Sequence, residues 1–299
     1  MSAIDAAVTP EPEVITARRP ARALVRGALS LWRTRVGLLL VLLVVGIAVL
    51  GPLFAPHGPQ EFVGTPNTGP SPAARFGTDN LGQDVWSRFL QGGGEILTLA
   101  AASTTLGLTL GAALGLIAAY SRSRLDDVLM RGMDVILAFP QIMLALVVIA
   151  TVGPQPWLVV AAVGLTTMPR VARVTRGAAQ PVVERDFVAA AEALGVSRPR
   201  ILFGEVLPNI LGPLLVEANL RLTYSIGLIA SLAFLGFATN PGGANWGLMI
   251  QENQIALVVQ PWGVVLPVVA IALLTVGTGM VGDGIARSAA GIDRVRGSE

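Results

Sequence analysis

The chain contains no cysteine and no lysine, and His57 is its only histidine. Without cysteine it can form no disulfide and supply no thiol nucleophile or thiolate metal ligand. Without lysine it can have neither a P-loop lysine nor a Schiff base. Charged residues are also scarce, at 13% of the 299 residues. These absences remove much of the usual catalytic repertoire. We predict that the chain is not an enzyme and holds no cofactor.

Most of the residues in the chain are apolar. Hydrophobic residues make up 53% of the chain, and its mean hydropathy is +0.67, which lies outside the range of soluble proteins. The composition therefore predicts a polytopic membrane protein. All 21 basic residues are arginines, and we interpret the sequence pI near 9.9 as a sign of membrane topology and not of nucleic-acid binding.

Six hydrophobic runs predict an all-α protein with six transmembrane helices. The first run reaches about 29 Å at 1.5 Å per residue, enough to cross the hydrocarbon core. The fourth is short unless it begins in the turn at 153–154 and continues toward residue 174. The predicted spans are 36–54, 96–120, 128–152, 156–169, 208–235 and 261–282.

These spans divide the chain into five regions. Residues 1–35 are predicted to be a cytoplasmic tail, ending at 18–35 in an arginine-rich amphipathic helix on the membrane lipid. The alternative is a cleaved signal peptide. Against it, the apolar run 36–54 is longer than the hydrophobic region of a signal peptide and lacks an A-x-A cleavage site. The other regions are the first span (36–55), an extracytoplasmic loop (56–95), a five-helix core (96–285) and a cytoplasmic tail (286–299).

The arginines predict the orientation. With the N-terminus inside, every arginine lies in an inner segment except Arg75 and Arg88, in outer loops, and Arg221, within a span. Because inner loops carry the excess of positive charge, both termini and the polar segment 170–208 are predicted to be cytoplasmic. The expected location is the cell membrane.

Segment 170–208 predicts a helix, a glycine turn and a second helix. Residues 184–194 are good helix formers, with Glu184 and Asp186 in the first turn, where acids complement the helix dipole. Gly195 ends this helix, Ser197 can cap the next, and the second helix covers 199–207. Small alanines flanked by Phe187 and Leu194 suit the groove of a partner protein. An ordinary amphipathic loop is the alternative.

The same segment resembles the EAA loop of binding-protein-dependent ABC importer permeases. AAAEALG, nine residues and EVLP follow the family pattern E-A-A, three residues, Gly, nine residues, I-x-L-P. Ala189 replaces the usual Glu, Glu205 replaces an apolar residue, and Glu192 is the candidate substitute for the missing acid. The resemblance assigns ATPase coupling to Phe187, Ala189, Ala190, Ala191, Glu192, Leu194, Gly195, Leu207 and Pro208.

A second motif restricts the resemblance to one group of permeases within this family. FGTDNLGQDVWSRFL (76–90) is similar to the extracytoplasmic signature G-T-D-x-x-G-R-D-x-x-S-R of the C-type subunit in dipeptide, oligopeptide and nickel permeases, with Gln83 in place of Arg. LAFP, LAFLGF, NWGLMI, PW and VGDGIAR follow in the family's order. This segment either contacts the solute receptor or forms a structural cap rich in turn residues. Its candidate residues are Gly77, Thr78, Asp79, Gly82 and Asp84.

The resemblance implies a type I ABC importer permease that forms half of a pathway for peptides or a similar solute, such as a nickel complex. The implied partners are a homologous B-type permease, two ATP-binding subunits that hydrolyse ATP, and an external solute-binding protein. The alternative is a stand-alone channel or secondary transporter, coupled through Glu217, Arg221 or Asp134.

Glu217 and Arg221 stand four residues apart in the fifth predicted span. This spacing places them on one helix face, where they can pair. Charge inside a membrane is a functional-site hypothesis by default. They are predicted to be either a self-neutralised ion pair or part of the pathway.

Overall fold

The computed structural model describes residues 21–121, 124–240 and 242–290. The predicted tails at 1–20 and 291–299, with the start of the amphipathic helix at 18–20, lie outside these residues. Within the described ranges the chain is helical and has no β-strand; its extended pairing is limited to two isolated bridges, Phe62 with Gln83 and Thr78 with Asp84.

Thirteen α-helices are formed by the described residues, and we number them in chain order. They are α1 (Ala21–Ser30), α2 (Trp32–Phe54), α3 (Val85–Gln91), α4 (Gly93–Tyr120), α5 (Arg124–Leu137), α6 (Gln141–Val152), α7 (Pro156–Val183), α8 (Asp186–Ala193), α9 (Arg198–Ile201), α10 (Leu207–Asn209), α11 (Leu211–Phe234), α12 (Trp246–Asn253) and α13 (Trp262–Ala290). A π-helical stretch, Leu202–Val206, joins α9 to α10, and a 3₁₀ turn, Gln254–Ala256, follows α12.

The number of membrane spans agrees with the six expected from the sequence. In the described part of the chain, four helices are long and apolar enough to cross a membrane, and the number rises to six when each of two bent helix pairs counts as one span. The protein is therefore an all-α, multi-pass membrane protein.

The third predicted span, 128–152, is not a single straight helix. It consists of α5 and α6, which meet at an angle of 79°. Pro140 stands at the N-cap of α6. Proline has no backbone N–H and disfavours helical dihedrals in the residue before it, so the first helix stops and a new one starts. Helix α11 forms most of the predicted fifth span, 208–235, and it meets the helical stretch 198–209 that precedes it at an angle of 77°.

The fourth predicted span, 156–169, was too short. Helix α7 continues through Pro169 and Pro181 to Val183. Residues 170–183, expected in a loop, therefore continue the helix of the fourth span. Packing explains the difference, because the inner side of this extension is buried, including Val171, Ala172 and Ala179.

Smaller boundary predictions also need correction. Residues 32–35 belong to α2 and not to the amphipathic helix, while α4 starts at Gly93, inside the predicted outer loop. Residues 286–290, expected in a tail, continue α13. Glu184 is the C-cap of α7 and so does not lie in the first turn of α8.

Among the helices that the structure describes, α4 and α7 share the most extensive contact, and glycines make their close approach possible. Gly107, Gly111 and Gly115 repeat every fourth residue on α4, so they lie on one face. A Cβ atom built on Gly111 would lie 2.6 Å from the Cβ of Val171 and 2.7 Å from the carbonyl oxygen of Met168. Small residues of this kind allow membrane helices to pack backbone against backbone.

Candidate functional site

Helix α8 lies against the rest of the protein by one side only. Val188 is fully buried, and Ala191 packs beside it in a cluster that includes Leu116 on α4 and Ala179 on α7. The predicted residues therefore divide into two groups. Phe187, Ala189, Ala190, Glu192, Leu194 and Gly195 are exposed, whereas Ala191, Leu207 and Pro208 are partly buried.

The outward side of α8 is a row of alanines between two larger apolar residues. Ala190 and Ala193 are exposed and lie opposite Val188 around the helix. Leu194 is 84% exposed and Phe187 37%. The surface thus combines small side chains, which lose no rotamer entropy on contact, with two apolar side chains that a partner can bury.

The turn after α8 has the geometry of a Schellman motif. Gly195 adopts φ +73°, its N–H donates to the carbonyl of Glu192 (3.0 Å), and the N–H of Val196 donates to that of Ala191 (3.1 Å). This left-handed conformation favours glycine. The helix, glycine turn and second helix expected from the sequence are therefore present, although Ser197 makes no side-chain capping bond. We call residues 186–209 the helix–turn–helix element.

Besides the buried packing of Val188, two connections attach α8 to the membrane helices. Only Glu184 and Arg185 separate α8 from the end of α7. On its other side, Tyr120 at the end of α4 donates a 2.5 Å hydrogen bond to Glu192 Oε1. The carboxylate proposed as a substitute acid for an ATPase contact is thus engaged within its own chain. A cleft of about 740 Å³ opens beside this bond, between α4, α5 and the element.

The opposite end of the molecule carries a compact polar assembly built from segment 57–92 and segment 245–260, which we call the cap. Asp79 is its centre and is fully buried. Asp79 Oδ1 accepts hydrogen bonds from the backbone N–H groups of Leu81 (2.9 Å) and Gln83 (2.8 Å), while Oδ2 lies 2.5 Å from Arg88 Nη1. The same nitrogen donates to Glu252 Oε2 at 2.8 Å.

The other predicted cap residues serve turns and helix ends. Asp84 caps α3 by accepting from the backbone N–H groups of Trp86 and Ser87, and the Thr78 hydroxyl donates to the carbonyl of Thr65 at 2.6 Å. Gly77 and Gly82 have φ values of +79° and +75°. All five candidate residues, Gly77, Thr78, Asp79, Gly82 and Asp84, are buried. This burial favours the structural alternative for these side chains.

Sequence reasoning missed the residues that hold the cap from the second segment. Glu252 pairs with Arg88 across 164 positions, Asn253 Oδ1 accepts from the N–H of Asn80 at 3.0 Å, and Gln260 donates to the carbonyl of Phe76 at 2.6 Å. No local spacing signals contacts of this length. Trp246 is also fully buried here, and its indole N–H donates to the carbonyl of Phe89 at 2.8 Å.

His57 and Glu61 form a polar pair at the edge of the cap, just beyond the end of α2. His57 Nδ1 lies 3.2 Å from Glu61 Oε1, and Nε2 lies 3.1 Å from the carbonyl oxygen of Ala73. The hydrogen bond to Glu61 is the main cause that raises the pKa of His57 above its ordinary value, because it stabilises the protonated ring. The pKa of Glu61 is lowered, first by the N–H of Gly58 and then by His57.

Glu217 and Arg221 form an ion pair on α11, as their spacing permits. Arg221 Nε lies 2.8 Å from Glu217 Oε1, and both side chains are more than nine-tenths buried. The guanidinium carbon lies 5.0 Å from the ring centroid of Tyr224. Two further ion pairs connect α5 to α7: Asp126 with Arg176, and Asp134 with Arg173.

The comparisons with known proteins agree with this architecture. Residues 111–289, from the middle of α4 to the end of α13, match the family model described as binding-protein-dependent transport system inner membrane component. The chain belongs to this family. It is therefore a permease component of a transport system, and the helix–turn–helix element and α11 both lie inside the matched region.

Its relatives are permeases of similar length. A Brucella suis protein provisionally named a peptide transport system permease is 37% identical over 275 residues, covering 92% of this chain and 90% of the relative. The di/tripeptide transport system permease DppC of Pseudomonas aeruginosa is 36% identical, with 83% and 84% covered. The glutathione transport system permease GsiD of Pectobacterium atrosepticum is 34% identical, with 83% of each chain covered.

Proposed function

We propose that this permease is the C-type subunit of an ABC importer for dipeptides or oligopeptides, and that it forms half of the translocation pathway. Its relatives are named for peptides, for di- and tripeptides and for glutathione, which is itself a small peptide. A nickel complex or another captured solute is the remaining substrate class. The membrane helices supply the pathway, and ATP is hydrolysed in partner subunits.

The proposed coupling of the permease to the ATP-binding subunits rests on one observation. The exposed alanine face of α8, bordered by Phe187 and Leu194, is held on an element with a buried base. A surface with so little side-chain entropy to lose suits a tight-fitting protein groove. We assign this face to one of two ATP-binding subunits; the second subunit binds the corresponding element of a homologous B-type permease.

The orientation follows from the charges. Arg198 and Arg200 are exposed on the helix–turn–helix element, and arginines concentrate on the cytoplasmic side of membrane proteins. We therefore place this element and both termini in the cytoplasm and the cap outside. An external solute-binding protein would meet the exposed apolar side chains of the cap, Phe62 and Leu81, while the buried turn residues fix their positions.

The mechanism then follows from how α8 is attached. Closure of the ATPases around ATP would displace α8, which is joined directly to α7 and hydrogen-bonded to Tyr120 at the end of α4. These two helices pack closely along a glycine face, so they would move together. The movement would tilt the pathway helices and alternate access between the two sides.

The first experiment is co-purification of the intact permease with its partners in mild detergent. Ala190→Glu with Ala193→Glu adds charge to the outward face of α8 and leaves the buried Val188 side unchanged. We expect the ATP-binding subunits to be retained by the wild type and lost with this variant. Gly69→Glu is the control, because Gly69 is exposed on the cap and an added Cβ meets no atom within 4 Å.

Two results would contradict the proposal. The ATP-binding subunits could stay bound to the α8 variant, which would place the docking surface elsewhere. Alternatively, no ATP-binding subunit could co-purify with the wild type while the purified chain moves solute alone in vesicles. That outcome would favour a channel or secondary transporter.

A further inference from the structure

Two faces of α11 are packed against neighbouring helices through polar contacts. Toward α4, the hydroxyls of Ser225 and Thr104 lie 3.1 Å apart. Toward α13, Asn219 donates to the carbonyl of Thr278 at 2.9 Å, and Thr223 bonds to the Thr278 hydroxyl at 3.0 Å. These bonds fix the rotation of α11 about its axis, and therefore which side chains point away from the bundle.

The third face of α11 is open. Leu220 and Tyr224 are 42% and 55% exposed, Ser231 is partly exposed, and a Cβ built on Gly227 would meet no atom within 4 Å. Spacings of four, three and four residues place these positions along one side of a helix. We call Leu220, Tyr224, Gly227 and Ser231 the open face.

The chemistry of this face differs from that of the lipid-like surfaces of the same protein. The exposed side of α13 carries Val268, Val269 and Val276, which are typical of contact with hydrocarbon. The open face instead combines a tyrosine, a glycine and a serine with a single leucine. Small and hydroxyl-bearing side chains at membrane depth suit either a helix contact or water.

The surroundings of Arg221 favour a water-filled pathway over a helix contact on the open face. Its Nη1 atom is buried and has no hydrogen-bond partner among the residues that the structure describes, and its Nε faces Glu217. The guanidinium lies beside the ring of Tyr224, which is on the open face. Leaving a buried charged donor without an acceptor is unfavourable, so an acceptor supplied from this side would complete the site.

We propose that the open face lines the translocation pathway and that Arg221 Nη1 receives a carboxylate of the peptide during transport. This inference rests on the proposed peptide transport. A guanidinium has only donors and keeps its charge, so it matches a carboxylate. Glu217 holds the guanidinium in place, and rotation of the exposed Tyr224 ring uncovers it. The partner permease closes the other side of the pathway.

The absence of cysteine makes the first test direct, since each introduced thiol is unique in the chain. Gly227→Cys and Ser231→Cys are placed in the reconstituted importer and treated with a charged methanethiosulfonate reagent. Val269→Cys, on the lipid-like side of α13, is the matched control. We expect the two α11 thiols to react at least about tenfold faster than the control, because the thiolate needs water. Equally slow reaction at all three positions would overturn the assignment of the face.

The second test concerns the carboxylate. Millimolar alanylalanine is expected to slow labelling of Gly227→Cys several-fold, whereas alanylalanine amide, which has no terminal carboxylate, slows it much less. In a background carrying Glu217→Gln and Arg221→Gln, this difference should disappear. Neutralising both partners avoids leaving a lone buried charge, so the helix is expected to keep its fold.

Each outcome has a separate meaning. Equal protection by acid and amide, or no protection by either, rules out Arg221 as a carboxylate site. Uptake of alanylalanine by the wild-type importer is measured in parallel, together with binding of the ATP-binding subunits. Failure of the wild-type importer to take up alanylalanine refutes the dipeptide part of the proposed function, whereas normal uptake with the wrong labelling pattern refutes only the site.

Discussion

Tyr120, the last residue of α4, donates its hydroxyl to Glu192 on α8 at 2.5 Å. This bond joins the end of a membrane helix to the helix that we assign to ATPase docking. The two residues are 72 positions apart, so the contact exists only because α4 and α7 end side by side. It adds a polar attachment of α8 to the buried packing of Val188 and to the short connection from α7.

Tyr120→Phe tests this attachment by removing one hydroxyl. We expect the ATP-binding subunits to remain bound while the peptide transported per ATP hydrolysed falls, by up to about tenfold, because an exposed hydrogen bond such as this one contributes roughly 0.5–1.5 kcal/mol. The measurement is the ratio of uptake to phosphate release in proteoliposomes. Glu192→Gln keeps an acceptor for Tyr120 and should be affected less. An unchanged ratio in Tyr120→Phe would show that the bond has no part in coupling.

Asp79→Asn tests the centre of the cap. The substitution leaves the buried Arg88 with Glu252 as its remaining partner, and breaking a buried ion pair destabilises by about 3–5 kcal/mol. We expect a lower free energy of unfolding, measured in mixed micelles by the tryptophan fluorescence, to which Trp86 and Trp246 of the cap contribute. Arg75→Gln, at an exposed position of the same loop, should change it by less than about 0.5 kcal/mol. Equal stability of both variants would contradict the role given to Asp79.

Gly111→Ala tests the contact between α4 and α7. The added methyl would meet the Cβ of Val171 and the backbone oxygen of Met168 inside normal contact distance. Overpacking of this kind costs about 1–3 kcal/mol. Gly46→Ala on α2 is the control, because its added Cβ meets nothing within 4 Å and alanine favours helix formation. The prediction fails if both variants unfold at the same denaturant concentration.

His57 should titrate above its ordinary pKa of about 6.5, because Glu61 and the carbonyl of Ala73 both favour the protonated ring. A raised folded-state pKa stabilises the cap fully below the unfolded-state value. That contribution is lost as the pH rises through the folded-state value. Labelling histidine with ¹³C at the ring Cε1 atom gives one NMR signal to follow, since the chain has one histidine. Glu61→Ala should lower the pKa; a wild-type pKa at or below the ordinary value would refute the interpretation.

Predictions from the sequence succeeded where the determining interactions are local. A membrane span requires an apolar run of sufficient length, and the helix–turn–helix element requires a glycine at 195 between two helix-forming segments. The pairing of Glu217 with Arg221 follows from a spacing of four on one helix. Each of these features can be recognised from residues that are close together in the sequence.

Predictions failed where distant packing decides the structure. Pro140 separates α5 from α6, whereas Pro169 and Pro181 lie within α7 without ending it. Prolines are tolerated in membrane helices when neighbouring segments compensate for the lost backbone hydrogen bond, and α7 is surrounded by such neighbours. The pairing of Arg88 with Glu252 likewise depends on the meeting of two segments that the sequence keeps far apart.

The length of α7 has a mechanical consequence. Its 28 residues span about 42 Å at 1.5 Å per residue, against a hydrocarbon core of roughly 30 Å. Part of this helix therefore projects beyond the lipid as a rod, and α8 is attached at the projecting end. Pivoting by about 5° around the far end would carry that tip through roughly 4 Å, taking the length from the helical rise. Only two residues separate α7 from α8. A displacement of the end of α7 is therefore transmitted to α8 almost completely.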